Sequence, residues 1–80
     1  MIAGRAYRLI VTRGGIAPSL IADPERLDHL EVVEIDSGEV ILFWDRTPRE
    51  ASRLARELRA DLLRLEAPEF LARWSTVENA

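Results

Sequence analysis

Residues 47–65 read TPREASRLARELRADLLRL, and the pattern of this stretch decides the fold. Thr47 can accept a hydrogen bond from the backbone N–H three residues ahead, and Glu50 at that position can reach back to Thr47, which makes a capping box. Pro48 falls at the first helical position, where its missing N–H has no intrahelical role. Losing the Thr47 cap costs about 0.5 to 2 kcal/mol. Ala51, Leu54, Ala55, Leu58, Leu62 and Leu65 recur at helical spacing and form one arc, which predicts an amphipathic helix that buries this face. The opposite arc carries Arg49, Arg53, Arg56 and Arg64, with Arg46 just before the cap and Arg59 at the edge. Glu50, Glu57 and Asp61 read as one charged flank of that arginine stripe, and Leu63 is an apolar residue among arginines.

Directly before the helix lies the strongest hairpin signal. Residues 31–36 and 39–45 read as strands around Ser37 and Gly38. A two-residue Ser-Gly turn sets Ile35 opposite Val40, Val33 opposite Leu42 and Glu31 opposite Trp44, which gives one apolar face. The other face then holds Val32, Ile41 and Phe43 among Glu34, Asp36 and Glu39. A three-residue turn with a bulge at Gly38 is the alternative, and it shifts the pairing by one and mixes the two sets. The acids around the turn lack the spacing of a calcium-binding loop.

Further outward, residues 5–13, RAYRLIVTR, alternate as a strand with Tyr7, Leu9 and Val11 on one side. Gly14 and Gly15 break it. Residues 16–22 read as a second short strand that Pro18 confines to an edge. Asp23 and Pro24 repeat the cap-then-proline signature, so residues 23–30 are expected to form one or two helical turns with Leu27 and Leu30 inward. After the long helix, Pro68 restarts a short C-terminal helix in which Phe70, Leu71 and Trp74 share a face.

These elements predict a single α+β domain over residues 1–80: a small antiparallel sheet of three strands, or four with the edge strand, with the long helix across one face and a short C-terminal helix. The helix leucines pack on Val33, Ile35, Val40, Leu42 and Trp44. One helix cannot cover both sides of a sheet, so Ile10, Val32, Ile41 and Phe43 are left as an apolar centre on the second face. Either the segment from Phe70 to Trp74 folds over it, or a second copy or another protein does.

With 80 residues the chain is near the size at which one core suffices, and it has no cysteine and one histidine. Self-association is the support left to consider. The net charge of −3 divides unevenly, with six arginines against three acids over residues 46–64 and an acidic excess elsewhere. No apolar run is long enough to span a bilayer, and Arg5 and Arg8 interrupt the opening before a signal-peptide core forms, so a cytoplasmic protein without membrane contact is expected.

The leading reading is a non-catalytic protein–protein interaction module, homodimeric or with another protein as partner, in which Ile10, Val32, Ile41, Phe43 and Trp74 bind the partner. The alternative is nucleic-acid binding, with Arg49, Arg53, Arg56 and Arg64 as the anion-binding residues. The acidic net charge, the absence of lysine and the flanking acids disfavour it. No catalytic residue, cofactor or metal is expected. There is no cysteine or lysine nucleophile, Gly-rich phosphate loop or metal-ligand spacing, and RGG at residues 13–15 is too short for one. His29 reads as an ordinary polar residue on a surface turn, because no partners are signalled for a ligand or a general base.

Overall fold

The computed structural model of the chain describes residues 1–14 and 27–78. A one-turn helix, α1 (Ala3–Ala6), runs into strand β1 (Tyr7–Thr12); β2 (Asp28–Glu34), β3 (Val40–Arg46), α2 (Pro48–Arg64) and α3 (Ala67–Trp74) follow. The strands form one antiparallel sheet in the order β1-β2-β3, so the α+β architecture anticipated from the sequence is the one observed. The edge strand expected at residues 16–22 lies outside the described residues.

Helix α2 forms for local reasons. Thr47 Oγ1 accepts the Glu50 N–H at 3.4 Å, Pro48 occupies the first turn, and the leucine and alanine face turns inward. Ala51, Ala55, Leu58 and Leu62 are buried on that face.

The segment expected to make helical turns at residues 23–30 ends differently in its described part. Asp28, His29 and Leu30 open β2, pairing with Thr12 and Val11 on one side and with Arg46, Asp45 and Trp44 on the other. Two ladders satisfy the backbone polar groups that one unsupported helical turn would leave to water.

The hairpin also departs from the tight Ser-Gly turn. Its loop spans Ile35–Gly38, closed by Glu34 N–H to the Glu39 carbonyl and Gly38 N–H to the Glu34 carbonyl, each at 2.8 Å. Gly38 holds φ +75°, a left-handed conformation that only glycine adopts without penalty. Ser37 Oγ donates to Glu34 and accepts the Glu39 N–H, which stiffens the wider loop. An irregularity between Val32 and Val33 then sets Val33 opposite Val40, Val32 opposite Leu42, Glu31 opposite Phe43 and Leu30 opposite Trp44. The predicted core face is therefore corrected: Ile35 and Val40 are exposed and Val33 is half-buried, whereas Leu30 and Val32 are fully buried. Burial of each of these side chains is worth about 1.5–3 kcal/mol, which outweighs the small advantage of a two-residue turn.

Both α2 and α3 lie on the same side of the sheet. Tyr7 stacks on Phe70 with ring centroids 5.8 Å apart, Phe70 meets Trp74 at 6.3 Å, and Trp74 meets Trp44 edge-on at 6.0 Å. This run of rings joins β1, α3 and β3 through the core. Trp44 Nε1 donates to the Val77 carbonyl at 3.2 Å, so the end of the described chain is tied to the sheet as well. The opening of the chain is stitched to the α2–α3 junction: Ala3 N–H donates to the Leu65 carbonyl at 2.9 Å, Ala67 N–H to the Met1 carbonyl at 2.8 Å, and Ile2 bridges Glu66.

Asp61, read from the sequence as part of a surface flank, is only 4% exposed. Its carboxylate accepts Trp74 Nε1 at 3.1 Å and Arg64 at 2.7 Å, and pairs with Arg73 at 3.3 Å. Arg73 in turn lies over the Trp74 ring, 5.5 Å from its centroid. Replacing Asp61 by Ala strands the buried indole N–H, and chemical denaturation is expected to show a loss of about 2–4 kcal/mol. Arg64→Ala removes only a mostly exposed partner and is expected to cost less than about 1 kcal/mol.

Candidate functional site

Among the described residues two surfaces remain once the core is closed, and each is built by elements already placed. The first is the sheet face turned away from the helices. Strand alternation puts Arg8, Ile10 and Thr12 of β1 on it, with His29, Glu31 and Val33 of β2 and Val40, Phe43 and Asp45 of β3. Ile10 is 40% exposed, Phe43 37% and Val40 45%, and neither α2 nor α3 covers them.

Of the five residues expected to bind a partner, the structure brings Ile10 and Phe43 together on this face, at opposite ends of one cross-strand row whose middle member is Glu31. The other three lie elsewhere. Val32 is fully buried beneath the helices, Trp74 is 2% exposed against Trp44, and Ile41 packs at the margin of the core. The shift in hairpin register moved Val32 inward and brought Glu31 to the centre of the outer face. The C-terminal helix, one of the candidates for covering this face, packs on the core side instead.

His29 sits on this outer face and not on a surface turn. Its Nδ1 is in hydrogen-bond contact with Asp45 Oδ1 across the β2–β3 ladder, and its ring stacks on Phe43 with centroids 5.9 Å apart. The pair orders this end of the sheet. Arg8 and Glu31 are diagonal neighbours on the same face, one row and one strand apart, yet they form no ion pair with each other.

The second surface is the arginine flank of α2. Arg49, Arg53 and Arg56 are exposed along one side and line a shallow concavity with Ser52. Arg64, expected to join them, is instead held by Asp61 near the far end of the helix. Between α2 and the end of β1 lies a half-open cleft of about 520 Å3, whose described lining includes Arg13, Arg56 and Arg59. Sequence reasoning passed over Arg13, because nothing local signals that β1 delivers it to the helix. For Arg56 and Arg59 a signal existed in the absence of any acid at the neighbouring helical positions.

Among the described residues no helix is long and apolar enough to cross a membrane, and no group of three His, Cys, Asp or Glu side chains is placed to hold a metal ion.

The face assignment of β2 is checked by a pair of near-isosteric changes. Val32→Thr buries an unpartnered hydroxyl and is expected to lower the unfolding free energy by about 1–3 kcal/mol. Val33→Thr, on the open face, is expected to change it by less than about 1 kcal/mol in the same denaturation experiment.

Compared with known proteins, the chain has no significant match to any family model, curated protein or solved structure.

Proposed function

We propose that this is a non-catalytic protein–protein interaction module that pairs with a second copy of itself through the outer face of its sheet. The observation that carries the reading is a sheet face that neither helix covers, where Ile10, Phe43 and Val40 remain exposed opposite the helical layer. An exposed apolar surface with a polar rim is the usual mark of a protein-binding site.

Charge placement favours a second copy as the occupant. A two-fold interface must be self-complementary, so that when one residue meets another across it, the reverse contact forms as well. Arg8 and Glu31 satisfy this requirement: they carry opposite charges, lie diagonally on one face and form no ion pair with any described residue. A two-fold axis between them sets Arg8 of each copy against Glu31 of the other and brings Ile10 and Val33 near their own symmetry mates. The acid at the centre of the face then has a partner and its desolvation is offset. A small domain without disulfides gains stability from such a partner.

The test is a charge swap read by light scattering across a dilution series. Wild type is expected to have the mass of a dimer. Arg8→Glu and Glu31→Arg are each expected to weaken association by at least about tenfold, and the double variant to restore most of it. A wild-type monomer at every concentration would overturn the reading. So would a dimer that neither single change affects.

A further inference from the structure

We propose that the cleft between α2 and the end of β1 binds the phosphoryl group of a small organic phosphate through Arg13, Arg56 and Arg59. The proposal is independent of the sheet-face pairing, because the cleft lies on the helical side of the sheet. Its described lining sets three arginines against one aspartate, in a chain whose net charge is −3. The local sign is therefore opposite to that of the whole molecule, which concentrates anions at this place.

Arg56 and Arg59 differ from Arg53 and Arg64 of the same helix, the latter held by Asp61. Arg53 has Glu50 and Glu57 at helical neighbour positions, so its charge is locally compensated. Arg56 is flanked at those positions by Ser52, Arg53, Arg59 and Ala60, and Arg59 by Ala55, Arg56, Leu62 and Leu63. Neither has an acid within reach along the helix. Arg13 then adds a third guanidinium from the residue just after β1. None of the three forms an ion pair or hydrogen bond with a described residue. Like charges gathered in this way destabilise the free protein slightly, and an anion placed among them reverses that cost.

Asp28 does not cancel the site. It is 5% exposed and accepts the Gly14 N–H at 3.3 Å, and its single negative charge still leaves the described lining with an excess of two positive charges.

The shape selects among anions. Three planar forks suit a group with three terminal oxygens better than a carboxylate, which one arginine can satisfy bidentately. The Ser52 hydroxyl on the same wall supplies a further donor. The volume falls in the range of small-molecule pockets and exceeds the needs of a bare phosphate, and Val11, Pro48 and Ala55 give the remainder an apolar lining for the carbon part of a ligand.

Inorganic pyrophosphate is the first probe, titrated into the isotopically labelled full chain and followed by amide NMR. Saturable shifts centred on Arg13, Ser52, Arg56 and Arg59 are expected. Arg13→Gln and Arg59→Gln are each expected to weaken binding about tenfold, while Arg53→Gln changes it by less than about twofold. Non-saturating shifts spread over the whole helix would overturn the proposal, as would equal weakening by Arg53→Gln. A single-stranded oligonucleotide that binds through Arg49 and Arg53, unaffected by Arg13→Gln, would also overturn it and make the helix flank a nucleic-acid surface instead.

Discussion

The carboxylate of Asp61 holds the helical layer together, because it is the point at which α2 and α3 are fixed to each other. A charge 4% exposed is costly to bury alone, and here it is satisfied by an indole N–H and two guanidinium groups. The Trp74 bond matters most. It fixes the indole at the angle that lets its edge meet Trp44, and through Phe70 it extends the aromatic run to Tyr7. A helix of eight residues has little stability of its own, so α3 owes its position to this bond and to the rings it carries. With α3 in place the aromatic part of the core is covered, and the opposite face of the sheet is left clear of both helices.

The long helix was legible in the sequence because every signal for it is local: the Thr47 cap, Pro48, and leucines and alanines at fixed spacing. The α+β arrangement, an antiparallel sheet with a long helix and a short C-terminal one, followed from the same reading. The strand register was not legible in this way. It depends on a four-residue loop with Gly38 in a left-handed conformation and on an irregularity two residues from the loop, both of which answer to packing of Leu30 and Val32 far along the strand. A shift of one residue exchanges the two faces. For that reason Val32 was placed outside and Glu31 inside, and the candidate surface drawn from the sequence kept Ile10 and Phe43 but lost its middle. Asp61 was misread for a related reason: at helical spacing it sits beside arginines, and only the position of Trp74 shows that it faces inward.

The two remaining surfaces divide the chemistry of the chain between them. The sheet face mixes apolar residues with both signs of charge, a composition that suits another folded surface. The helix flank carries an excess of positive charge, with Arg53 balanced by neighbouring glutamates and Arg56 and Arg59 left without an acid at those positions beside the cleft. One surface is on each side of the sheet, so occupation of either leaves the other open.

The stitching of Ala3 to Leu65 and of Ala67 to Met1 bears on the order in which the molecule is made. The first strand emerges from the ribosome long before Phe70 and Trp74, which belong to an element more than fifty residues further along the chain. Until they arrive, Tyr7 lacks the Phe70 ring and Trp44 the Trp74 ring, and a sheet covered by α2 alone is more open to wrong pairings with its neighbours. Closing a loop of more than sixty residues is the entropic step that ends this exposure, and contacts of such long separation are slow to form. The aromatic run is therefore expected to close only after α3 has emerged, as a late step of folding.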